Sequence, residues 1–232
     1  MPHLTTFIAF GIFAKLLDGV PGFEHVAQGA EGLELADSIT GDAHKLLNVP
    51  YDCGFFFCRH PDLAQEVFQN PNAAYLDTKT AATDIIRSPL NIGIENSRRF
   101  RGLPVYATLV AYGRDGYRDM LQRQIRFARA VAAYLYDHDA FELLPKVVFT
   151  SRDRIDQDIF IIVLFKAKDD GLNEQLVQRI NTSSKMYVSG TVWDGSPASR
   201  IAVANWQVEP HRDLEIVKGV VEKVVETWAK EK

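Results

Sequence analysis

Between residues 117 and 136 the apolar side chains Met120, Leu121, Ile125, Ala128, Val131, Ala132 and Leu135 recur at spacings of three and four. That is the period of an α-helix with one buried stripe. A helix of this length stays folded by packing its stripe against other elements, so the rest of the chain must supply them. Short runs with strand character lie on both sides of it. Leu35 to Thr40 and Gly54 to Cys58 precede it, and Phe141 to Phe149, Ile159 to Phe165, Met186 to Ser189 and Arg200 to Ala204 follow. Helices and strands alternate, which predicts an α/β class with an α+β C-terminal lobe.

Further helices are predicted from their start signals. Pro61 opens a short helix to Phe68, and Pro210 opens a final one with the stripe Ile216, Val217, Val220, Val221, Val224, Val225 and Trp228. Asn173 to Ile180 reads as helix, and so does a stretch from about Ser97 to Tyr112 that Gly113-Arg114-Asp115-Gly116 interrupts. Residues 70 to 89 turn polar and irregular, with Asn70-Pro71-Asn72 and Ser88-Pro89, and predict a long connection.

Composition narrows the function classes. The 232 residues are 47% hydrophobic and 24% charged, a globular balance and not that of a disordered chain or coiled coil. With 26 Lys+Arg against 30 Asp+Glu the formal charge is −4, so no general positive field exists to hold a phosphate backbone, and nucleic acid is not expected as a partner. The apolar run from Phe7 to Ala14 lacks a basic flank, meets Lys15 before any cleavage site, and falls well short of the ~20 residues of a membrane span. It is read as buried core, with no membrane partner and a cytoplasmic location. Cys53 and Cys58 flank an apolar Gly-Phe-Phe-Phe run read as a buried strand; five strand steps hold them roughly 16 Å apart, too far to bridge. Two buried thiols suit a reducing compartment.

There is no Gly-x-Ser-x-Gly elbow, P-loop, Gly-x-Gly-x-x-Gly, His-Glu-x-x-His or Cys-x-x-Cys. The six histidines are scattered without metal-ligand spacing, and no metal site is expected. The segment from Ala36 to Gly54 stands apart. A strand leads into a tight polar turn, Gly41-Asp42-Ala43-His44-Lys45, and a second apolar strand follows. A lysine between two core strands, in a partly apolar site, loses its proton more readily than one in water. A neutral amine is what Schiff-base chemistry needs. A His-Lys pair in an ordinary surface turn is the competing reading.

That segment resembles the lysine motif of the group II pyridoxal-phosphate-dependent amino-acid decarboxylases, the family of the aromatic-L-amino-acid, tyrosine, histidine and glutamate enzymes. Further matches follow in the family's order. Ala9-Phe10-Gly11 resembles the end of its His-Val-Asp-x-Ala-Phe-Gly strand. Ser97-Arg98-Arg99-Phe100-Arg101-Gly102-Leu103, with Tyr112-Gly113 and Gly116-Tyr117, resembles the segment after its mobile loop. Gln178-Arg179-Ile180-Asn181 and Arg200-Ile201-Ala202-Val203 resemble its C-terminal lobe.

The resemblance implies part of a fold type I large domain over residues 1–96, followed by a C-terminal small α+β domain over 97–232. It implies pyridoxal 5'-phosphate as cofactor, an L-amino acid as substrate, a carboxy-lyase reaction and a homodimer. Lys45 would carry the Schiff base and His44 would border the cofactor. Asp42 would lie near its phosphate, Ala9 would let the ring lie flat, and Ser97 would reach the phosphate of a neighbouring subunit. The 70–89 connection corresponds to the family's lid.

Two departures qualify the match. The Asp that pairs with the pyridine nitrogen falls at position 7, where this chain has Phe7, and the residue after the lysine, usually Trp, is Leu46. Relatives are longer at the N-terminus, which reads as truncation. The alternative function is therefore a non-catalytic remnant that keeps the fold and pairs with a full-length relative. On this reading the stretch from about Ser97 to Lys232 is the stable folding unit.

Overall fold

In a computed structural model of the chain, the structure describes residues 5–7, 11–68, 93–95 and 97–232. The expected connection at 70–89 and Ala9 lie outside the described residues. Two compact units divide the chain. One takes the described residues up to 12 and 31–111; the other takes 13–30 and 112–232.

The first unit is built on a three-stranded sheet. Strand β1 (Thr5–Phe7) pairs in parallel with β2 (Ser38–Asp42), and β2 pairs antiparallel with β3 (Gly54–Cys58). The register sets Phe7 opposite Thr40 and Asp42 opposite Gly54. Strand β2 starts three residues later than the expected Leu35. Gly32, with φ of 81°, turns the chain into a short 3-10 segment, Leu33–Leu35, that occupies the positions before it. Helix α1 (Gly11–Ala14) and helix α2 (Glu24–Gln28) follow β1 in sequence. Helix α3 runs from Pro61 to Phe68, as the proline at its first turn predicts.

Strand β3 corrects one expectation. Its ends match the sequence, but it is not buried: Phe56 is 54% and Phe57 56% exposed, and Cys58 is only half-buried, while Cys53 is buried. The reason is position. β3 is an edge strand of a three-stranded sheet, so its apolar composition does not by itself bring cover. Both cysteines are free thiols, as their spacing requires.

Helix α4 (Gly102–Asp137) crosses from the first unit into the second. The helical start expected at Ser97 falls instead at Gly102, and the expected four-residue break shrinks to Gly113, whose backbone (φ 58°, ψ −173°) leaves the helix. That conformation is open to glycine and strained for other residues. From Tyr117 onward all seven residues of the apolar stripe are buried.

The second unit contains a four-stranded antiparallel sheet in the order β4 (Phe141–Leu143), β5 (Ile162–Ala167), β7 (Ser196–Ala202), β6 (Ser189–Trp193). Along β5 burial alternates, with Val163, Phe165 and Ala167 inward. β4 stops at Leu143, far short of Phe149, because Pro145 lacks the N–H that a ladder needs. β6 and β7 are joined by Asp194-Gly195, both at positive φ, the two-residue hairpin that Asp-Gly favours. That signal shifts β6 from the expected Met186–Ser189. Helix α5 (Asp153–Asp158) precedes β5. Helix α6 (Asp170–Thr182) lies on β5 and β7, and its N-terminus is capped by the Asp169 carboxylate accepting from the Leu172 amide at 2.8 Å. Helix α7 (Pro210–Glu231) packs on α6, and its Val217, Val220, Val221 and Val224 are buried.

Residues 13–30 are integral to this second unit. The Arg129 guanidinium donates to the Gly22 carbonyl at 2.8 Å and lies over the Phe23 ring at 5.1 Å, and Arg118 donates to the Leu16 carbonyl. Burial pushes the Arg129 pKa down, with Asp156 and Glu24 opposing. Among the described residues no helix is long and apolar enough to cross a membrane.

Candidate active site

The turn after β2 carries the predicted lysine. The turn buries three of its own side chains, Ala43, Leu46 and Leu47, and one carbonyl binds its start. The Cys53 oxygen accepts the amides of Ala43 (3.0 Å) and His44 (3.2 Å), and His44 Nδ1 lies 3.3 Å from it. The His44 ring packs on Tyr51, with centroids 4.4 Å apart. Asn48, at φ 53°, closes the turn by donating its amide to the Lys45 carbonyl. Cys53, the residue just before β3, and Tyr51 thus return to the turn that follows β2.

Within this frame Lys45 Nζ donates to Asp42 Oδ2 at 2.5 Å, with the lysine side chain 34% exposed. The sequence expectation for Lys45 did not include this ion pair. Asp42 sits three residues earlier, and the tight turn brings its carboxylate under the amine. Asp42, His44 and Lys45 therefore share one turn. Ser97 lies exposed, and no hydrogen bond joins it to any of the three.

A second charged group adjoins the turn, and the sequence did not reveal it. The Asp52 carboxylate accepts from Arg99 Nε at 3.0 Å and Arg99 Nη2 at 2.5 Å, with Arg101 Nε 3.5 Å away. Arg101 Nη1 donates to Glu95 at 3.0 Å. The Cys53 thiol reaches the Arg101 carbonyl at 3.7 Å. The hydrogen bond from Arg99 holds the Asp52 carboxyl below the usual carboxylate range, and burial pushes the Cys53 thiol up. Arg98 and Arg99 do not cap a helix, since α4 begins only at Gly102. Asp52 and Arg99 stand 47 residues apart, so no local pattern pairs them.

The donor set fits a carbonyl-bearing coenzyme at one point, the partly exposed primary amine of Lys45 on an ordered turn. The parallel ladder sets position 7 opposite Thr40, and the residue there is Phe7, which has no carboxylate. Among the described residues no group of three or more His, Cys, Asp or Glu is placed to hold a metal ion.

Comparison with solved structures shows the architecture. The crystal structure of Oryza sativa TDC with PLP and tryptamine superposes with a TM-score of 0.79 at 21% identity, covering 97% of this chain and 45% of that one. Mouse CSAD gives 0.66 at 17% identity over 96% of this chain and 45% of that one. The fold is thus the corresponding part of a fold type I architecture, an α/β large-domain portion followed by an α+β lobe.

The family model described as the pyridoxal-dependent decarboxylase conserved domain matches residues 20–151, and the chain belongs to that family. Among curated relatives, the aromatic-L-amino-acid decarboxylase of Sus scrofa is 27% identical over 191 residues, 82% of this chain and 36% of the relative. The L-2,4-diaminobutyrate decarboxylase of Acinetobacter baumannii is 27% identical over 151 residues, 65% of this chain and 27% of the relative. The chain spans about a third of these relatives' length.

Proposed function

We propose that this chain carries the lysine-bearing part of a pyridoxal-phosphate-dependent L-amino-acid decarboxylase, a carboxy-lyase. One observation carries the reading: a single amine, Lys45 Nζ, is presented at the end of β2 on a turn that hydrogen bonds hold in place. Family membership and the PLP-bound neighbour support the cofactor. When bound, pyridoxal phosphate supplies the electron sink that lets an amino acid lose CO₂.

The chain's own residues have definable parts in this. Lys45 Nζ would hold the coenzyme's aldehyde carbon, and for that it must leave Asp42. Asp42 then keeps the side chain oriented while the amine is unoccupied. His44, fixed by Tyr51 and the Cys53 carbonyl, would border the coenzyme. Ala9 and Ser97 are assigned, on the family match, to the ring face and to the phosphate of a neighbouring subunit. With those assignments go the division into a cofactor portion at 1–96 and a small domain at 97–232, a homodimeric state and a cytoplasmic location. Amino acids are the proposed small-molecule partners, with neither nucleic acid nor membrane among them.

The test is covalent trapping. With pyridoxal phosphate and borohydride, the adduct should map to Lys45 and vanish in Lys45→Ala, with the melting temperature unchanged. An adduct spread evenly over surface lysines, or one that survives Lys45→Ala, refutes the reading and leaves the non-catalytic remnant.

A further inference from the structure

The turn that presents Lys45 is closed by bonds of its own, from the Lys45 amide to the Asp42 carbonyl and from the Asn48 amide to the Lys45 carbonyl, and it also leans on the residue just before β3. There the Cys53 carbonyl accepts the Ala43 and His44 amides and lies 3.3 Å from His44 Nδ1. What fixes that carbonyl is the residue before it. Asp52 is gripped through both oxygens by Arg99, with Arg101 alongside, and the Cys53 thiol touches the Arg101 carbonyl. Arg101 is in turn held by Glu95. A contiguous path therefore runs from Arg99 through Asp52 and the Cys53 oxygen to His44, the immediate neighbour of Lys45.

We infer that Asp52 and Arg99 form a positioning pair for Lys45, acting with Asp42 to set the direction of its amine by anchoring the Cys53 carbonyl to Arg99 and Arg101. The inference rests on the reading of Lys45 as the attachment point. Asp52 touches neither substrate nor coenzyme; it acts through the turn.

Two physical features separate this role from plain stabilisation. Both side chains are about half exposed, Arg99 49% and Asp52 48%, and exposed ion pairs add little to folding stability. Yet a two-point guanidinium–carboxylate contact fixes orientation in a way a point charge cannot. Removing it should leave the melting temperature nearly alone while the amine loses its fixed direction. Small misplacements of a reacting group lower rates steeply.

The experiment uses the full chain and measures the initial rate of pyridoxal phosphate attachment, trapped with borohydride and quantified by peptide mass. Lys45 is compared with Lys230, an exposed lysine near the end of α7, in the same sample. The Lys45-to-Lys230 ratio should fall about tenfold in Asp52→Asn, and about threefold in Arg99→Lys, which keeps the charge but loses the fork. The conservative Asp52→Glu, which keeps a carboxylate for Arg99 and Arg101, should hold the ratio to within about threefold.

An unchanged ratio in Asp52→Asn overturns the inference. So does an equal fall at both lysines, or a fall in Asp52→Glu as large as in Asp52→Asn, because neither depends on the carboxylate that Arg99 grips. Lack of any preference for Lys45 in the unmodified chain would instead refute the attachment reading on which this one stands.

Discussion

The two compact units differ in how they treat their apolar side chains. In the second unit Val163, Phe165, Leu176 and Ile180 are fully buried, and α4, α6 and α7 each turn an apolar stripe inward. In the first, Phe56, Phe57, Leu103, Tyr106 and Val110 all stand more than half exposed. Hydrophobic content is therefore no guide to stability in this chain; its placement is. The second unit is a packed core with surface ion pairs, whereas the described residues of the first bury only a small apolar cluster, with Ala43, Leu46, Leu47 and Val49, beside a sheet whose edge strand is exposed.

Core substitutions should break the comparison most sharply. Phe165→Ala removes a fully buried ring that meets Phe141 edge-on, with centroids 5.9 Å apart. It should cost about 3–5 kcal/mol, read as a large fall in thermal and denaturant midpoints. Phe56→Ser, on the exposed edge strand, should change the same midpoints by less than about 0.5 kcal/mol. Similar losses for both would mean that β3 is covered in solution.

At the junction, Gly113→Ala places a methyl group on a backbone at φ 58°, ψ −173°, with no neighbouring atom within 4 Å to clash. The cost is therefore conformational, about 1–3 kcal/mol unless the helix straightens. Circular dichroism separates the two outcomes, since straightening adds helical signal and strain does not.

Acid should act more weakly, and mainly on the second unit. Its carboxylates Glu142, Asp169, Asp213 and Glu231 are held below their ordinary range by Lys146, Lys232, Arg212 and Arg179. In the first unit Asp52 is held down in the same way by Arg99. A depressed folded pKa gives stability that is complete above the unfolded value and lost as pH falls through the folded one. Melting midpoints should therefore hold from neutral down to the ordinary carboxylate range and decline below it. Because these groups are mostly exposed, the decline should shrink in added salt. A midpoint that rises on acidification would contradict the assignment.

Much of this was legible from local pattern. The 117–136 stripe, the proline-led starts at Pro61 and Pro210, and the β3 limits needed only periodicity and capping chemistry, which act over a few residues. The turn with Asp42, His44 and Lys45 was legible too, because a strand, a glycine and a short polar run specify it. Strand limits slipped where a turn signal outranked composition, as at Gly32 and Asp194-Gly195.

What the chain alone determined is the order of its longer helices and most of its strands, and the lysine-bearing turn, all products of contacts close in sequence; the short helices α1, α2 and α5 carry too little periodicity to be read that way. Only the tertiary structure decided that β3 stands at an edge with its phenylalanines exposed, that residues 13–30 join the C-terminal unit through Arg129, and that Arg99 closes on Asp52. Each of these depends on where the chain returns after tens of residues, and the residues' own propensities do not encode that return.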